Sequence, residues 1–190
     1  MAGKSNRFKF LPTPLEDLYV VERSPISDRR GVFCRLFCEE EFREAGFLKR
    51  IVQINHSYTV KKGAVRGLHF QYPPHAEVKI VSCIRGEVFD VAVDIRMGSS
   101  TFLKWHGEIL SAWNNRSLLI PEGFAHGFQT LTEECELLYL HSSAYCAEAE
   151  GAIHVNDPRV GVSWPLPFTD ISERDCGHAF LGPDFEGIAL

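Results

Sequence analysis

The chain of 190 residues lacks the signatures of several large protein classes. No apolar run approaches the roughly 20 residues that a membrane-spanning helix needs. The first ten residues carry positive charge but not the apolar segment of a secretory signal. The 20 basic and 25 acidic residues give a net charge of −5, without the basic excess of nucleic-acid-binding proteins. We therefore expect a cytoplasmic protein that binds neither membranes nor nucleic acid.

Closely spaced cysteine pairs are also absent. The six cysteines are scattered along the chain, and none belongs to a C-x-x-C pair. In a reducing compartment such residues are free thiols. Cys83 lies in an apolar run, where burial would keep its thiol protonated and unreactive. We expect neither disulfides nor a catalytic cysteine.

The composition, 45% hydrophobic and 24% charged, is that of a globular protein. The length fits one domain over residues 1–190. Short apolar runs separated by turn residues predict an all-β sandwich or barrel with a few short helices at its edges. Residues 1–14 are expected to form a flexible arm, residues 39–45 a helix, and residues 165–190 a C-terminal segment with a short helix.

The stretch from Ala64 to Lys79 (AVRGLHFQYPPHAEVK) concentrates polar groups among apolar ones. Strand alternation places Val65, Gly67, His69 and Gln71 on one face and Arg66, Leu68 and Phe70 on the other. A histidine beside a glycine that allows close backbone approach, with a cation nearby, is typical of proton transfer and anion binding. We expect the rest of the chain to enclose this strand.

On the strand Val88–Ile95, Asp90 and Asp94 share one face with Val88 and Ala92. Asp90 facing into a barrel needs a buried partner, for which Arg66, His69 and His126 are candidates. The alternative is that both Asp90 and Asp94 lie in water at the strand ends.

A turn of the form P-x-G-x-x-H (residues 121–126) precedes a further strand and ends at His126. This pattern resembles the second motif of the cupin superfamily of small β-barrels. Metal-binding cupins combine that histidine with an H-x-H pair and a glutamate, whereas the earlier strand here offers His69 followed by Phe70 and Gln71. These groups do not supply the three or four converging ligands of a divalent site, so we expect no metal. His126 is either a buried structural histidine or a site residue, and the preceding turn favours the site.

Two further stretches supply candidate catalytic side chains. Tyr139 and Tyr145 lie six residues apart and face the same way if one extended segment holds both. A tyrosine near a base can deliver a proton from the opposite side of a substrate, although packing is its commoner role. Ser172 and Asp175 predict a helix N-terminus in which Asp175 is structural; alternatively, Asp175 orients a histidine.

Taken together, these residues resemble the dTDP-4-dehydrorhamnose 3,5-epimerase family. The resemblance runs from about residue 18 to residue 175 and is most specific in RGLHFQ (66–71) and PEGFAHGF (121–128). The remaining matching positions are Arg30-Gly31, Gln53, Asn55, Lys79, Asp90, Asp94, Tyr139, Glu150-Gly151, Asp157 and Trp164-Pro165.

The resemblance implies a cupin-type jelly roll that acts as a homodimer on a nucleotide sugar, without cofactor or metal, in deoxysugar or O-antigen polysaccharide biosynthesis. His69 would be the base, oriented by Asp175, with Tyr139 as the acid on the opposite face and Lys79 at the enolate oxygen. Inverting a carbon beside a ketone needs these groups. The implied substrate contacts are Arg30, Arg35, Gln53, Asn55, Arg66, His126, Tyr145, Glu150 and Arg174.

Three positions depart from the family pattern. Arg35 stands where the family has a glutamate that contacts the nucleotide base, so a CDP-, UDP- or GDP-linked keto-sugar is an alternative substrate. Arg174 replaces a lysine and keeps its charge. Glu77 stands where glutamine is common, and we expect it at the rim of the site.

The sequence leaves open whether C3, C5 or both carbons are inverted. A non-catalytic sugar-nucleotide-binding cupin is a second hypothesis, favoured if Tyr139 or Asp175 points away from His69. A metal-dependent cupin oxygenase or isomerase is a third hypothesis, which the missing ligands disfavour.

Overall fold

The computed structural model describes residues 6–190 and is built almost entirely of strands. The elements in chain order are β1 (Phe8–Pro12), β2 (Tyr19–Arg23), β3 (Ile26–Asp28), β4 (Gly31–Phe33), α1 (Glu39–Glu44), β5 (Gln53–Thr59), β6 (Ala64–Gln71), β7 (Lys79–Arg85), β8 (Glu87–Asp94), β9 (Trp105–Ser111), β10 (Arg116–Ile120), β11 (Phe124–Thr130), β12 (Cys135–His141), β13 (Glu150–Ala152), β14 (Asp170–Ile171) and α2 (Glu173–Cys176).

Two antiparallel sheets form the body of the fold. The first sheet has the order β1-β2-β10-β7-β12-β5, and the second has the order β13-β6-β11-β8-β9, with β14 added beside β6. A separate hairpin pairs β3 with β4. The predicted all-β jelly-roll sandwich with short peripheral helices is confirmed.

Strands β2, β7 and β10 of the first sheet are buried on both faces because their side chains alternate between two apolar clusters. Val20 and Val81 point into the cluster between the sheets, whereas their neighbours Val21 and Ile80 pack on the outer face. There Phe42 of α1 is fully buried and covers the sheet. Successive side chains of a strand point to opposite faces, and apolar residues pointing to both faces are typical of strands that are covered on both sides.

The chain after β12 covers the outer face of the second sheet. Val91 and Val93 of β8 pack there against Ile153, Val160 and Ile188. Their strand neighbours Val88 and Ala92 point into the cluster between the sheets. The alternation predicted for β8 is therefore correct, and the C-terminal segment supplies the second half of its core.

The expectation of a flexible arm over residues 1–14 is wrong for its described part. Residues 8–12 form β1, which pairs with β2 from Phe8↔Arg23 to Pro12↔Tyr19. Phe8 is buried and meets the Phe42 ring edge-on at 4.9 Å between ring centroids. Proline lacks an N–H and is tolerated on an edge strand, which explains how β1 can end at Pro12. Residues 1–5 lie outside the described part of the chain.

The two helices are short. Helix α1 begins with three glutamates, which suit the positive end of the helix dipole, and the chain turns at Gly46 with φ +95°. The predicted C-terminal helix is α2, where Ser172 accepts the backbone N–H of Asp175. Over residues 6–190, no helix has the length and apolar character needed to cross a bilayer.

The two faces expected for β6 are wrong in one respect. His69 pairs with His126 and Arg66 pairs with Phe128, so one residue of β11 lies opposite two residues of β6. This β-bulge shifts the alternation by one residue. As a result Arg66 and His69 line the same cleft rather than opposite faces.

Candidate active site

A cleft of about 520 Å³ opens between the two sheets, and its walls come from both. Strands β5, β7 and β12 supply one wall, and β6 and β11 supply the other. The lining residues are Ile54, Asn55, His56, Ser57, Arg66, His69, Phe70, Gln71, Glu77, Lys79, His126, Gly127, Phe128, Tyr139, His141, Tyr145 and Glu150.

His69 on β6 is held by a carboxylate from the far end of the chain. Its Nε2 lies 2.8 Å from Oδ1 of Asp175, which is almost fully buried on α2. The other carboxylate oxygen accepts the backbone N–H of Gly67 at 3.3 Å. Burial raises the pKa of Asp175, but the hydrogen bond and charge of His69 outweigh it, so this pKa lies below its ordinary value.

This contact determines the tautomer of His69. An ionised carboxylate can only accept a hydrogen bond, so Nε2 carries the hydrogen and Nδ1 keeps the lone pair of a base. Ser172 is the predicted N-cap of α2, and its hydroxyl accepts the Asp175 backbone N–H at 3.1 Å. The cap uses only the backbone of Asp175, so it is compatible with the contacts of the Asp175 carboxylate with His69 and Gly67.

Tyr139 approaches the cleft from the opposite sheet. It lies on β12, and its hydroxyl is 3.0 Å from the Ser57 hydroxyl. Its ring meets the His126 ring edge-on at 6.2 Å. Burial raises the pKa of Tyr139, so the phenol remains protonated at neutral pH and can donate a proton.

Lys79 begins β7 and is buried among polar partners. Its Nζ lies 3.3 Å from the backbone oxygen of His69 and 3.1 Å from Oε1 of Glu77. The expectation that Glu77 lies at the rim is wrong, since its side chain is only 9% exposed. Its second oxygen lies 2.8 Å from Nδ1 of His141, so β7 and β12 together enclose the carboxylate.

The other predicted contacts form two groups. On the first sheet, Gln53 donates to Asn55 at 3.1 Å and accepts the Tyr145 N–H at 2.9 Å. Glu150 accepts the Tyr145 hydroxyl and lies 3.1 Å from Arg174, so Tyr145 joins the two groups. Tyr145 follows the end of β12, so it reaches the cleft through a loop and not through the single strand considered for both tyrosines.

The second sheet adds Arg66 and His126. Arg66 donates through Nε to the Thr59 hydroxyl at 3.0 Å. His126 is buried, and its Nε2 lies 2.8 Å from Oδ1 of Asp90, which answers the question of which residue partners that aspartate. Asp94 is fully buried and accepts hydrogen bonds from Arg96, so its placement in water is wrong.

Two predicted contacts lie away from the cleft in a single chain. Arg30 pairs with Asp28 in the β3–β4 hairpin at 2.6 Å. Arg35 follows that hairpin and pairs with Glu41 of α1, also at 2.6 Å. Within residues 6–190, neither arginine lines the cleft.

Among residues 6–190, one group of side chains has atoms that could ligate a metal. Ligand atoms of His69, Asp175 and His178 lie within 4.8 Å of one another, and His178 Nε2 is buried without a hydrogen-bond partner. The Arg174 guanidinium lies 3.2 Å from His69 Nε2 and 3.7 Å from the Asp175 carboxylate. A cation this close opposes a second one at the same atoms. The group consequently suits proton transfer better than metal binding.

Sequence reasoning missed Ser57 and His141 in the cleft and misplaced Glu77. Ser57 partners Tyr139, and Glu77 with His141 forms a buried pair beside Lys79. Ser57 could have been found from the alternation of β5, because it shares a strand face with Gln53 and Asn55. No local signal pairs Glu77 with His141, because the pairing of β7 with β12 brings them together.

Comparison with known proteins gives one family. The family model described as dTDP-4-dehydrorhamnose 3,5-epimerase matches residues 12–182. A curated relative with that name from Shigella flexneri is 43% identical over 177 residues, covering 92% of this chain and 97% of the relative.

Solved structures agree in fold. The dTDP-4-dehydrorhamnose 3,5-epimerase of Bacillus anthracis, with TDP and PPi bound, superposes with a TM-score of 0.89 at 36% identity, covering 92% of this chain and 99% of that one. ChmJ, a 3'-monoepimerase of Streptomyces bikiniensis in complex with dTDP-quinovose, superposes with a TM-score of 0.80 at 34% identity, covering 86% and 83% of the two chains.

Proposed function

The chain belongs to the dTDP-4-dehydrorhamnose 3,5-epimerase family, and from that membership we propose that its cleft inverts C3 and C5 of a dTDP-linked 4-keto-6-deoxyhexose. The enzyme is an isomerase of deoxysugar biosynthesis. His69 is the base, Asp175 orients it, Tyr139 is the acid and Lys79 stabilises the enolate oxygen.

The observation that carries this proposal is that the base and the acid come from different sheets. His69 comes from the second sheet, and Tyr139 comes from the first, so a sugar between them meets one on each face. Inversion requires a proton to leave one face and another to arrive on the opposite face. The His69–Asp175 distance of 2.8 Å argues against the non-catalytic alternative, because Asp175 points at the base rather than away from it.

The enolate formed after proton removal needs a fixed positive group. Lys79 is buried and already held by the backbone of His69, so little reorganisation accompanies charge development. A positioned acid or base contributes about 10²–10⁴-fold in rate, and electrostatic stabilisation by Lys79 is expected to supply a further share.

The nucleotide diphosphate is proposed to lie toward Arg66 and Arg174. Arginine forks match phosphate oxygens in pairs. Arg66 lines the cleft, and Arg174 lies beside it, 3.1 Å from the lining residue Glu150. The relative from B. anthracis has TDP bound in its structure, which supports a thymidine nucleotide here. Gln53, Asn55, His126, Tyr145 and Glu150 are proposed as the remaining substrate contacts.

A second copy of the chain is proposed to complete the site as a homodimer. Arg30 and Arg35 are expected at the nucleotide, yet they lie on or next to a hairpin outside the cleft of their own chain. That hairpin exposes Val32 by 67% and Phe33 by 69%, which is costly for a surface without a partner. Docking of the hairpin onto a second copy would bury these side chains and carry both arginines toward its nucleotide site.

The proposal is tested by solvent exchange. With dTDP-4-keto-6-deoxyglucose in heavy water, the wild type should place deuterium at C3 and C5. Nuclear magnetic resonance detects the deuterium at each carbon. Deuterium at C3 alone would show a single inversion, as the name of the monoepimerase relative describes for that protein.

The matched variant is His69→Asn, which retains a polar amide but cannot act as a base. We expect exchange to fall by about 10²–10⁴-fold. Exchange at the wild-type rate would eliminate His69 as the base. The same assay with CDP-, UDP- and GDP-linked keto-sugars tests the nucleotide, and a clear preference for one of these would overturn the thymidine assignment.

A further inference from the structure

A hydrogen-bonded chain of side chains crosses the cleft wall formed by the first sheet. Gln53 donates to Asn55 at 3.1 Å, and the Asn55 amide nitrogen lies 3.4 Å from His141 Nε2. His141 Nδ1 lies 2.8 Å from Glu77, whose second oxygen lies 3.1 Å from Lys79 Nζ. Two proposed substrate contacts are thus connected to the proposed enolate stabiliser through Glu77 and His141.

The neighbours of His141 agree on one neutral tautomer. The Glu77 carboxylate accepts a hydrogen bond from Nδ1–H, and the Asn55 amide can donate to the lone pair of Nε2. His141 also stacks on Tyr139, with 6.1 Å between ring centroids and 24° between planes. Glu77–His141 is thus a buried histidine–carboxylate pair on the sheet opposite the pairs His69–Asp175 and His126–Asp90.

The charges of this corner nearly cancel when His141 is neutral. Lys79 contributes one positive charge and Glu77 one negative charge, and both side chains are 9% exposed. Burial raises the pKa of Glu77, but the hydrogen bond from His141 and the charge of Lys79 outweigh it, so Glu77 is ionised at neutral pH. The groups that face His141 are Glu77 and Lys79 from β7 and the segment before it, Asn55 from β5, and Tyr139 from its own strand.

An enolate beside a neutral ion pair is stabilised less than one beside a single ammonium group. Protonation of His141 at Nε2, for which the Asn55 amide must turn its oxygen toward the ring, gives the corner one net positive charge while Glu77 still holds both cations in place. We propose that Glu77 and His141 are positioning residues for Lys79, and that the positive form of His141 supplies the net charge that the enolate needs. This inference rests on the epimerase function proposed above.

The kinetic test uses variants that keep hydrogen bonds and change charge. His141→Gln should lower kcat about tenfold at the acidic end of the pH profile, with KM within about threefold of wild type. The profile should lose one ionisation. Glu77→Ala should lower kcat by at least about tenfold, and Glu77→Gln should restore most of it, because Lys79 then keeps an acceptor and an unmatched charge.

The double variant distinguishes charge from packing. Once Glu77→Gln has removed the negative charge, His141→Gln should change kcat by less than about twofold. If His141→Gln costs as much with Gln at position 77 as with Glu, or if the pH profile of His141→Gln equals that of the wild type, the proposal is overturned.

A measurement without substrate separates this inference from the epimerase function. Carbon-13 resonance of the Glu77 carboxyl reports its titration, and its pKa should rise in His141→Gln because one of the groups that lowers it is gone. An unchanged Glu77 pKa would refute the pair even in an active enzyme. Absence of solvent exchange in a wild type with the expected Glu77 titration would instead refute the epimerase function.

Discussion

Replacing Asp175 by asparagine tests the central contact of the site with a change of one atom type. The structure determines how the amide should sit. Oδ2 accepts the backbone N–H of Gly67 at 3.3 Å, so the amide oxygen is expected to remain there. The amide NH₂ then faces His69 Nε2 and donates to it. The hydrogen of His69 moves to Nδ1, and the lone pair that removes the substrate proton is lost.

The expected magnitude follows from the charge that develops on His69. Two unit charges about 4 Å apart interact by about 4 kcal/mol at an effective dielectric of about 20. The His69 side chain is 26% exposed, so solvent reduces this figure. A loss of about 3–4 kcal/mol corresponds to about 10²–10³-fold in kcat. The assay is deuterium incorporation from heavy water at saturating substrate.

Ser172→Ala is the matched control for this variant. It removes the hydroxyl that caps α2 at 3.1 Å from the Asp175 N–H but leaves the carboxylate intact. We expect a loss of about 1 kcal/mol in unfolding free energy and kcat within about threefold of wild type. If Asp175→Asn kept kcat within about fivefold of wild type, orientation of His69 by Asp175 would be wrong.

Three further predictions concern acid catalysis, backbone geometry and acid stability. Tyr139→Phe should lower the inversion rate by about 10²–10⁴-fold while proton exchange by the base persists, which separates the two faces in the same heavy-water assay. Gly67→Ala should cost more than about 2 kcal/mol in urea unfolding, because φ is +125° and the added Cβ would lie 2.5 Å from Gly127 Cα; a midpoint equal to wild type would contradict this. Burial raises the pKa of Asp94, but hydrogen bonds from Arg96 and two hydroxyls outweigh burial, so the folded pKa lies below the unfolded value of about 3.9. The stabilisation by Asp94 is therefore present above the unfolded pKa and is lost as pH falls through the folded pKa. Asp94→Asn should weaken this dependence of unfolding free energy on acid pH, and an unchanged dependence would refute the argument.

Local patterns were sufficient where the backbone is regular. The alternation of β8 predicted that Asp90 points inward and needs a partner, and His126 is that partner. Apolar burial predicted an inert Cys83, and burial raises its thiol pKa to about 12. These inferences worked because period-two alternation and apolar burial depend on a few neighbouring residues.

Local patterns failed where distant strands decide the environment. The bulge opposite Gly127 placed Arg66 beside His69 against simple alternation. Glu77 was expected at the rim, yet the pairing of β7 with β12 buries it against His141. Residues 8–12 were expected to be loose, yet they complete an edge of the first sheet.

By itself, the sequence determined an all-β protein whose motifs resemble one epimerase family, with candidates for base, acid and cation. Only the tertiary structure decided which of these groups meet. Asp175 lies 106 positions from His69 and reaches it because β14 and α2 return to the edge of β6. Strand propensity and turn chemistry act over a few residues, whereas the packing of two sheets joins residues without regard to their separation, and this packing assembles the site.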